Sequence, residues 1–509
     1  MPDRPDRAEW EDAVTGPVAG HFVDGKQLAG DAGAGASLVS NPATGEPLGH
    51  VPDGGVAMVE RAVASAKSAF PSWSNTPVGD RVQCLFRYKQ ILEANISEIA
   101  DTVVAEHGKT KAEAIGSLRR GIDCIEYATA APVLIMGNTL PQIAVSTSFC
   151  RTEDEGGVGI DSQVDRVPLG VCAGITPFNF PVMVPMWMWP MSVACGNTFV
   201  LKPSEHDPFS TTQMIELVTE AGFPPGVINM VHGGPAVAKA LIAHEDVRAV
   251  SFVGSTHAGA EIYKAASATG KRVQCMCGAK NHSLIMPDAN RGAAVDGVLG
   301  SAFGNTGQRC LAGSVVVCIG DSADWFVPAL VEASRKIKVG PGNEPGVGMG
   351  PLVNSAAKDR VLSYIQQGVD AGAELALDGR LCDMPQGGCF VGPTIFDRAT
   401  PEMSIVSEEI FGPVLSIMRA GTLDEAIAMA NRSQYGNMAV IFTDSGNAVR
   451  RFSRTIQAGM QGVNVGVPAP MAVFPFSGWK NSFYGDLHAN GDDAVRFYTD
   501  SRVLVTRWI

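Results

Sequence analysis

The 509-residue chain has no Cys-x-x-Cys pair, although it holds 11 cysteines. Cys275 and Cys277 stand two apart, and no His or Cys cluster nearby completes a four-ligand set, so a structural zinc site is not expected. The cysteine count is ordinary and odd, which suits a reduced compartment better than a disulfide framework. Basic residues are in deficit. The 39 Lys and Arg face 52 Asp and Glu, giving a net charge of −13, and basic runs do not exceed pairs such as Arg119-Arg120. Nucleic acid and anionic membranes are therefore not expected partners, while a local basic pocket for a small anionic substrate remains compatible with this charge. The opening residues MPDRPDRAEWEDAVTG are charged and lack an apolar core. No secretory signal is expected from them; residues 1–17 are expected to form a flexible tail, and the location to be cytoplasmic. Charge is absent between Arg166 and Lys202, a stretch long enough to span a bilayer. Its five prolines, Pro168, Pro177, Pro181, Pro185 and Pro190, together with Asn179, fit a buried strand–loop–helix unit instead. Also missing is a Gly-x-Gly-x-x-Gly fingerprint after an early strand, so a parallel sheet alone would not establish dinucleotide binding.

With 45% apolar and 18% charged residues, the chain has material for large cores, and its length fits two or three domains. From about Gly170 a regular alternation sets in. Strands are expected at Val171–Ile175, Thr198–Leu201, Val227–Val231, Ala249–Phe252 and Arg272–Met276. Helices are expected between them at Pro181–Ala194, Ser210–Ala221, Ala236–Ala243 and His257–Ala266. Such alternation implies right-handed crossovers and a parallel sheet, with ligands at the carboxyl ends of its strands. The pattern restarts after about Gly278. Strands near Ser314–Ile319, Val414–Met418, Ala439–Phe442 and Gly462–Val465 are separated by helices near Trp325–Lys336, Ser355–Ala371, Leu423–Asn431 and Asn447–Ile456. Upstream, Val56–Trp73 and Asp80–His107 read as amphipathic helices. Thr147–Val164 is polar and alternating, as a hairpin excursion would be.

Three short motifs carry chemistry. Gly254-Ser255-Thr256 follows a strand and precedes a helix, where amides and the helix dipole hold a pyrophosphate; a plain helix cap reads the same way. Leu201-Lys202-Pro203-Ser204-Glu205 ends a strand and brings Lys202 and Glu205 to the sheet edge, as a ribose site or a surface ion pair. Gly307-Gln308-Arg309-Cys310 sets a cysteine beside a cation, which favours the nucleophilic thiolate.

These motifs, with Thr176-Pro177-Phe178-Asn179-Phe180-Pro181, Phe252-Val253 and Glu408-Glu409-Ile410-Phe411-Gly412-Pro413, follow one another in the order and spacing of the aldehyde dehydrogenase superfamily, which the chain resembles over roughly residues 20–505. The resemblance implies an α/β fold. It consists of a Rossmann-like parallel-sheet cofactor domain (18–146 and 165–275), a second α/β catalytic domain (276–479) and a small β oligomerisation element (147–164 and 480–509) of a homodimer or homotetramer. It implies that Cys310 adds to an aldehyde and that Asn179, with the Cys310 N–H, forms the oxyanion hole. Hydride transfer to NAD then leaves a thioester. Thr176, Phe178, Lys202, Glu205, Gly254, Ser255, Glu409 and Phe411 are implied to hold NAD.

Met276 stands where hydrolysing members carry a glutamate general base, two residues before Gly278-Ala279-Lys280. Gly278-Ala279-Lys280-Asn281-His282, Pro168-Leu169-Gly170-Val171-Cys172-Ala173-Gly174 and Pro475-Phe476-Ser477-Gly478 resemble the methylmalonate-semialdehyde dehydrogenase branch, whose usual residue at the Met276 position is asparagine. That branch passes its acyl group to coenzyme A with loss of carbon dioxide, and Arg120 and Arg309 match the arginines that hold its substrate carboxylate. A hydrolysing aldehyde dehydrogenase with a displaced base is the alternative.

Overall fold

The computed structural model describes residues 18–29, 35–144 and 159–507. The expected tail at 1–17, and residues 147–158 of the expected excursion, lie outside them. Two large sheets dominate. The first has eight strands in the order Lys26–Leu28, His21–Val23, Ile228–Met230, Thr198–Lys202, Val171–Ile175, Val247–Val253, Arg272–Met276 and Phe483–Tyr484. The five from Ile228–Met230 to Arg272–Met276 are parallel, and the short outer strands are antiparallel. Val171–Ile175 has its successor Thr198–Lys202 on one side and the later Val247–Val253 on the other. The winding direction reverses there, which opens a crevice at the carboxyl ends of these strands.

The second sheet runs Glu374–Leu377, Thr394–Asp397, Val414–Ala420, Gly313–Ile319, Asn281–Ile285, Met438–Phe442 and Met460–Val463, parallel except for its first pair. Asn281–Ile285, an interior strand next to the central Gly313–Ile319, is absent from the sequence-based expectation. So are the helices Lys111–Ala128 and Arg291–Phe303. The helix expected from Pro181 starts instead at Pro185, which takes an early helical position where its missing N–H costs nothing. All ten residues of that helix are buried, so it is apolar all round and acts as core between the first sheet and the helix Lys111–Ala128.

A three-stranded antiparallel sheet, Thr499–Arg507, Ile160–Pro168 and Asn138–Ala144, stands apart from both. It exposes Leu140, Ile143, Val503, Leu504 and Val505. No helix among the described residues is long and apolar enough to cross a membrane.

Candidate active site

The reversal point of the first sheet is where the chemistry-bearing loops meet. Residues 176–179 follow Val171–Ile175, and Gly254 and Ser255 follow Val247–Val253. Between them lies a cleft of about 390 Å³. All eight residues assigned to the cofactor from sequence line it, together with Asn179 and Cys310. Lys202 Nζ and Glu205 Oε2 pair at 2.8 Å. Burial opposes ionisation of Glu205, but the charge and hydrogen bond of Lys202 outweigh it and lower its pKa. Ser255 caps the helix Thr256–Ser267, its Oγ accepting from Ala258 N at 3.3 Å, so the cap and the cleft wall are one residue. Thr176 Oγ1 is buried with no protein partner, a hydroxyl left for a ligand. Phe178 meets the Phe411 ring edge-on at 5.8 Å, and Phe411 holds a left-handed φ of 59°. Glu409 accepts from Ala279 N at 2.8 Å, and burial raises its carboxyl pKa.

Cys310 sits in the loop that enters the second sheet at Gly313. That loop is wound tightly: Asn305 and Thr306 have φ of 52° and 55°, and Gly307 has 70°. A side chain on Gly307 would collide with the Gly412 carbonyl, so glycine is required by the close approach as well as by φ. The Cys310 carbonyl accepts from Asn281 Nδ2 and Asn437 Nδ2, both at 2.8 Å. Asn179 Nδ2 donates to the Gln308 carbonyl at 2.9 Å, two residues from the thiol. The expectation that Arg309 makes Cys310 a ready thiolate is corrected. Burial, with the Glu409 carboxylate next, pushes the thiol up to about 12, and Arg309 opposes this less than the backbone N–H groups of Cys310 and Leu311 do.

On the other side of Cys310 lies a second cavity of about 360 Å³. The helix Lys111–Ala128 supplies one wall with Glu113, Gly116, Ser117, Arg120, Asp123 and Cys124, a helical i, i+3, i+4, i+7 stripe. Phe180, Met183, Trp187 and Phe476 supply an apolar wall, and Arg309 lies at the mouth of the thiol. Arg309 donates to Glu113 Oε1 at 3.3 Å, and its buried Nε has no partner. Arg120 is exposed and donates to the Pro470 carbonyl at 2.8 Å. Cys310 lines both cavities and so stands between two spaces of similar volume, the cleft and a chamber whose lining includes Arg120 and Arg309. A thiol so placed can attack an aldehyde carbon held in the chamber while that carbon's hydrogen faces the cleft.

The aldehyde dehydrogenase family pattern matches residues 31–504. The chain belongs to the aldehyde dehydrogenase family. Among relatives within this family, it is 52% identical over 492 residues to malonate-semialdehyde dehydrogenase 1 of Geobacillus thermodenitrificans, covering 96% of this chain and 98% of that one. The crystal structure of a methylmalonate-semialdehyde dehydrogenase from Oceanimonas doudoroffii superposes with a TM-score of 0.93 at 44% identity, covering 97% and 99% of the two chains. A Sinorhizobium meliloti 1021 protein, provisionally described as a methylmalonate-semialdehyde dehydrogenase and solved with NAD, gives 0.92 at 41% identity with the same coverage.

Sequence reading missed the residues that brace this family site from a distance. Glu113 accepts from Thr110 N at 3.1 Å, from Asn305 N at 2.6 Å and from Arg309. The Thr110-x-x-Glu113 capping box was a readable signal for the helix start. Lys109, Asn305 and Asn437 carried no such signal, because their partners lie far away in sequence.

Proposed function

We propose that this chain oxidises malonate semialdehyde or methylmalonate semialdehyde with NAD through Cys310 and passes the acyl group, after loss of carbon dioxide, to coenzyme A. The observation that carries the reading is the position of Cys310 between the cleft and a chamber rimmed by Arg120 and Arg309. The unpartnered Arg309 Nε and the open donors of that guanidinium suit a substrate carboxylate. The two similar dehydrogenases are named for semialdehydes that carry one.

The cleft suits NAD by its orphan Thr176 hydroxyl, the helix amino terminus at Ser255 and the Glu205 carboxylate, which accepts from ribose hydroxyls and repels a 2′-phosphate. When bound, NAD serves as the hydride acceptor. Cys310 gives up its proton to solvent as Sγ bonds to the aldehyde carbon, and the charge gathering on the aldehyde oxygen meets Asn179 Nδ2 and the Cys310 N–H. Arg309 and Arg120 orient the substrate carboxylate away from the thiol. Once the acyl group is on Cys310, the thioester carbonyl accepts the electrons of the departing carboxylate, and the same two donors stabilise the resulting enolate.

Met276 has no titratable group and is buried, so it cannot activate a water. A thiol with pKa near 8.5 is already a few per cent thiolate at neutral pH, and coenzyme A attacks without a base. Glu409, which shares the cleft with Cys310, favours the second reading, hydrolysis to a free acid. Mass spectrometry of products, with and without coenzyme A, separates the two. Acetyl-CoA or propionyl-CoA is expected, with a stall after about one equivalent of NADH when coenzyme A is omitted. Sustained turnover to free acid would overturn acyl transfer.

In this reading, 18–146 with 165–275 form the cofactor domain and 276–479 the catalytic domain. The oligomerisation element of a homodimer or homotetramer, expected at 147–164 and 480–509, is read on the three-stranded sheet that contains Ile160–Pro168 and Thr499–Arg507, while Phe483–Tyr484 joins the cofactor sheet. The exposed apolar side chains on Thr499–Arg507 support an assembly, which sedimentation of the purified protein tests.

A further inference from the structure

Lys109 lies just beyond the helix Val78–His107, in the Gly108–Thr110 turn before the helix Lys111–Ala128. It is 1% exposed, an extreme position for a lysine. Its Nζ donates to the main-chain carbonyl of Asn179 at 2.6 Å and stands 4.3 Å from the centre of the Phe180 ring. That carbonyl also accepts from Asn305 Nδ2 at 3.3 Å, and Asn305 Nδ2 donates in turn to the Gln308 carbonyl at 3.0 Å. The Gln308 carbonyl is the group on which Asn179 Nδ2 rests. Lys109 therefore pins the backbone of residue 179 from behind while the Asn179 amide faces the thiol loop in front.

We propose that Lys109 is a positioning residue of the reaction: its Nζ fixes the Asn179 backbone so that Nδ2 is already aimed when charge develops on the aldehyde oxygen. The proposal rests on the reading of Asn179 as the oxyanion donor. Burial pushes the Lys109 amine down to about 7 although the Glu113 and Asp207 carboxylates favour its charged form, and a lysine buried this deeply is costly to maintain without a function at its tip. Preorganised donors work because they need no rearrangement at the moment of reaction, and a donor whose backbone can drift loses that advantage. The charges that bear most on the Cys310 thiol are those of Glu409 and Arg309. Its effect on turnover and its effect on thiol reactivity can therefore be separated.

The test is a double-mutant cycle of Lys109→Met and Asn179→Ala, with Lys109→Gln as a second neutral variant that keeps a donor. NAD affinity by fluorescence checks that each variant is folded. Lys109→Met is expected to lower kcat at least about tenfold for every aldehyde, with KM for NAD unchanged. Alkylation of Cys310 by iodoacetamide, which builds no oxyanion, is expected to stay within about twofold. Lys109→Gln is expected to recover part of the loss. On the Asn179→Ala background, Lys109→Met is expected to add almost nothing, because the two residues act as one unit. Additive losses, or an alkylation rate that falls in parallel with kcat, would overturn the proposal. Full activity in Asn179→Ala would instead remove the oxyanion reading beneath it.

Discussion

Arg309→Ala separates a guanidinium that recognises substrate from one that only holds the loop. The partners of Arg309 and Glu113 decide the magnitude. Arg309 makes one protein ion pair, at 3.3 Å to Glu113, and its Nε is buried without a partner. Removing it leaves Glu113 still satisfied by Asn305 N at 2.6 Å and by Thr110 N and Oγ1, so no carboxylate is stranded. The cost should therefore fall on the substrate carboxylate. A charge-assisted pair in a partly buried site is worth about 2–3 kcal/mol, the lower part of the range because the Arg309 side chain is 23% exposed. That corresponds to a loss of roughly 30- to 150-fold in kcat/KM. The assay is NADH formation with malonate semialdehyde and with propanal under identical conditions. Loss of Arg309 also removes a weak influence that lowers the Cys310 pKa, which slows both aldehydes alike and cancels in their ratio. A malonate semialdehyde to propanal ratio unchanged within about threefold would refute the carboxylate role.

Cys310→Ala is expected to abolish NADH formation while NAD binding, followed by fluorescence, stays near wild type. In the NAD-free enzyme the Cys310 thiol lies far above neutrality, so its thiolate fraction should rise nearly tenfold per pH unit; iodoacetamide alkylation from pH 7 to 9 should climb without a plateau, and a plateau would mean the thiol is activated before cofactor binds. Glu205→Ala frees Lys202 from its 2.8 Å partner and removes a negative charge from the cleft, so the NADP to NAD ratio of kcat/KM should rise about tenfold; an unchanged ratio would place the ribose elsewhere. Met276→Glu buries a carboxyl in apolar core, which should cost about 3 kcal/mol in urea unfolding and introduce turnover without coenzyme A; a normal midpoint would show that the side chain escapes to the cleft.

What the sequence revealed and what it hid divide along physical lines. Val171–Ile175 was legible as a short apolar run between turns, Arg272–Met276 from its place in the strand–helix alternation, and Leu423–Asn431 as a helix. Asn281–Ile285 was not, because its first three residues, Asn, His and Ser, are polar even though every residue is buried. Asn281 is polar because its side chain bridges the Cys310 and Ala312 carbonyls, a tertiary demand that overrides strand composition. The helix Arg291–Phe303 was hidden by Gly292, Gly297 and Gly300, poor helix formers that nonetheless lie in it; at Gly297 a side chain would press on Phe442. In the site, motif spacing brought the thiol, Asn179 and the cleft residues into view. The braces behind them were invisible, since Lys109, Asn305 and Asn437 reach partners 70 to 127 residues away.

The fate of the acyl group turns on where the carboxylates are already committed. Among the described residues, four line the two cavities that Cys310 divides: Glu113, Asp123, Glu205 and Glu409. Glu113 is held by Asn305, Thr110 and Arg309, and Glu205 is paired with Lys202. Asp123 lies one helical turn beyond Arg120, on the side of the chamber assigned to the substrate carboxylate. Glu409 accepts a backbone hydrogen bond from Ala279, and burial raises its pKa, so it alone approaches the properties of a base. It lies in the cleft, where a bound dinucleotide competes for the same space and the same carboxylate. While the cleft is filled, water has no free base beside the thioester. A thiol acceptor needs none, because its own pKa supplies the nucleophile. Met276 fits the same reading: the position at which hydrolysing members of the family carry their base holds an apolar side chain folded into the core at the end of Arg272–Met276.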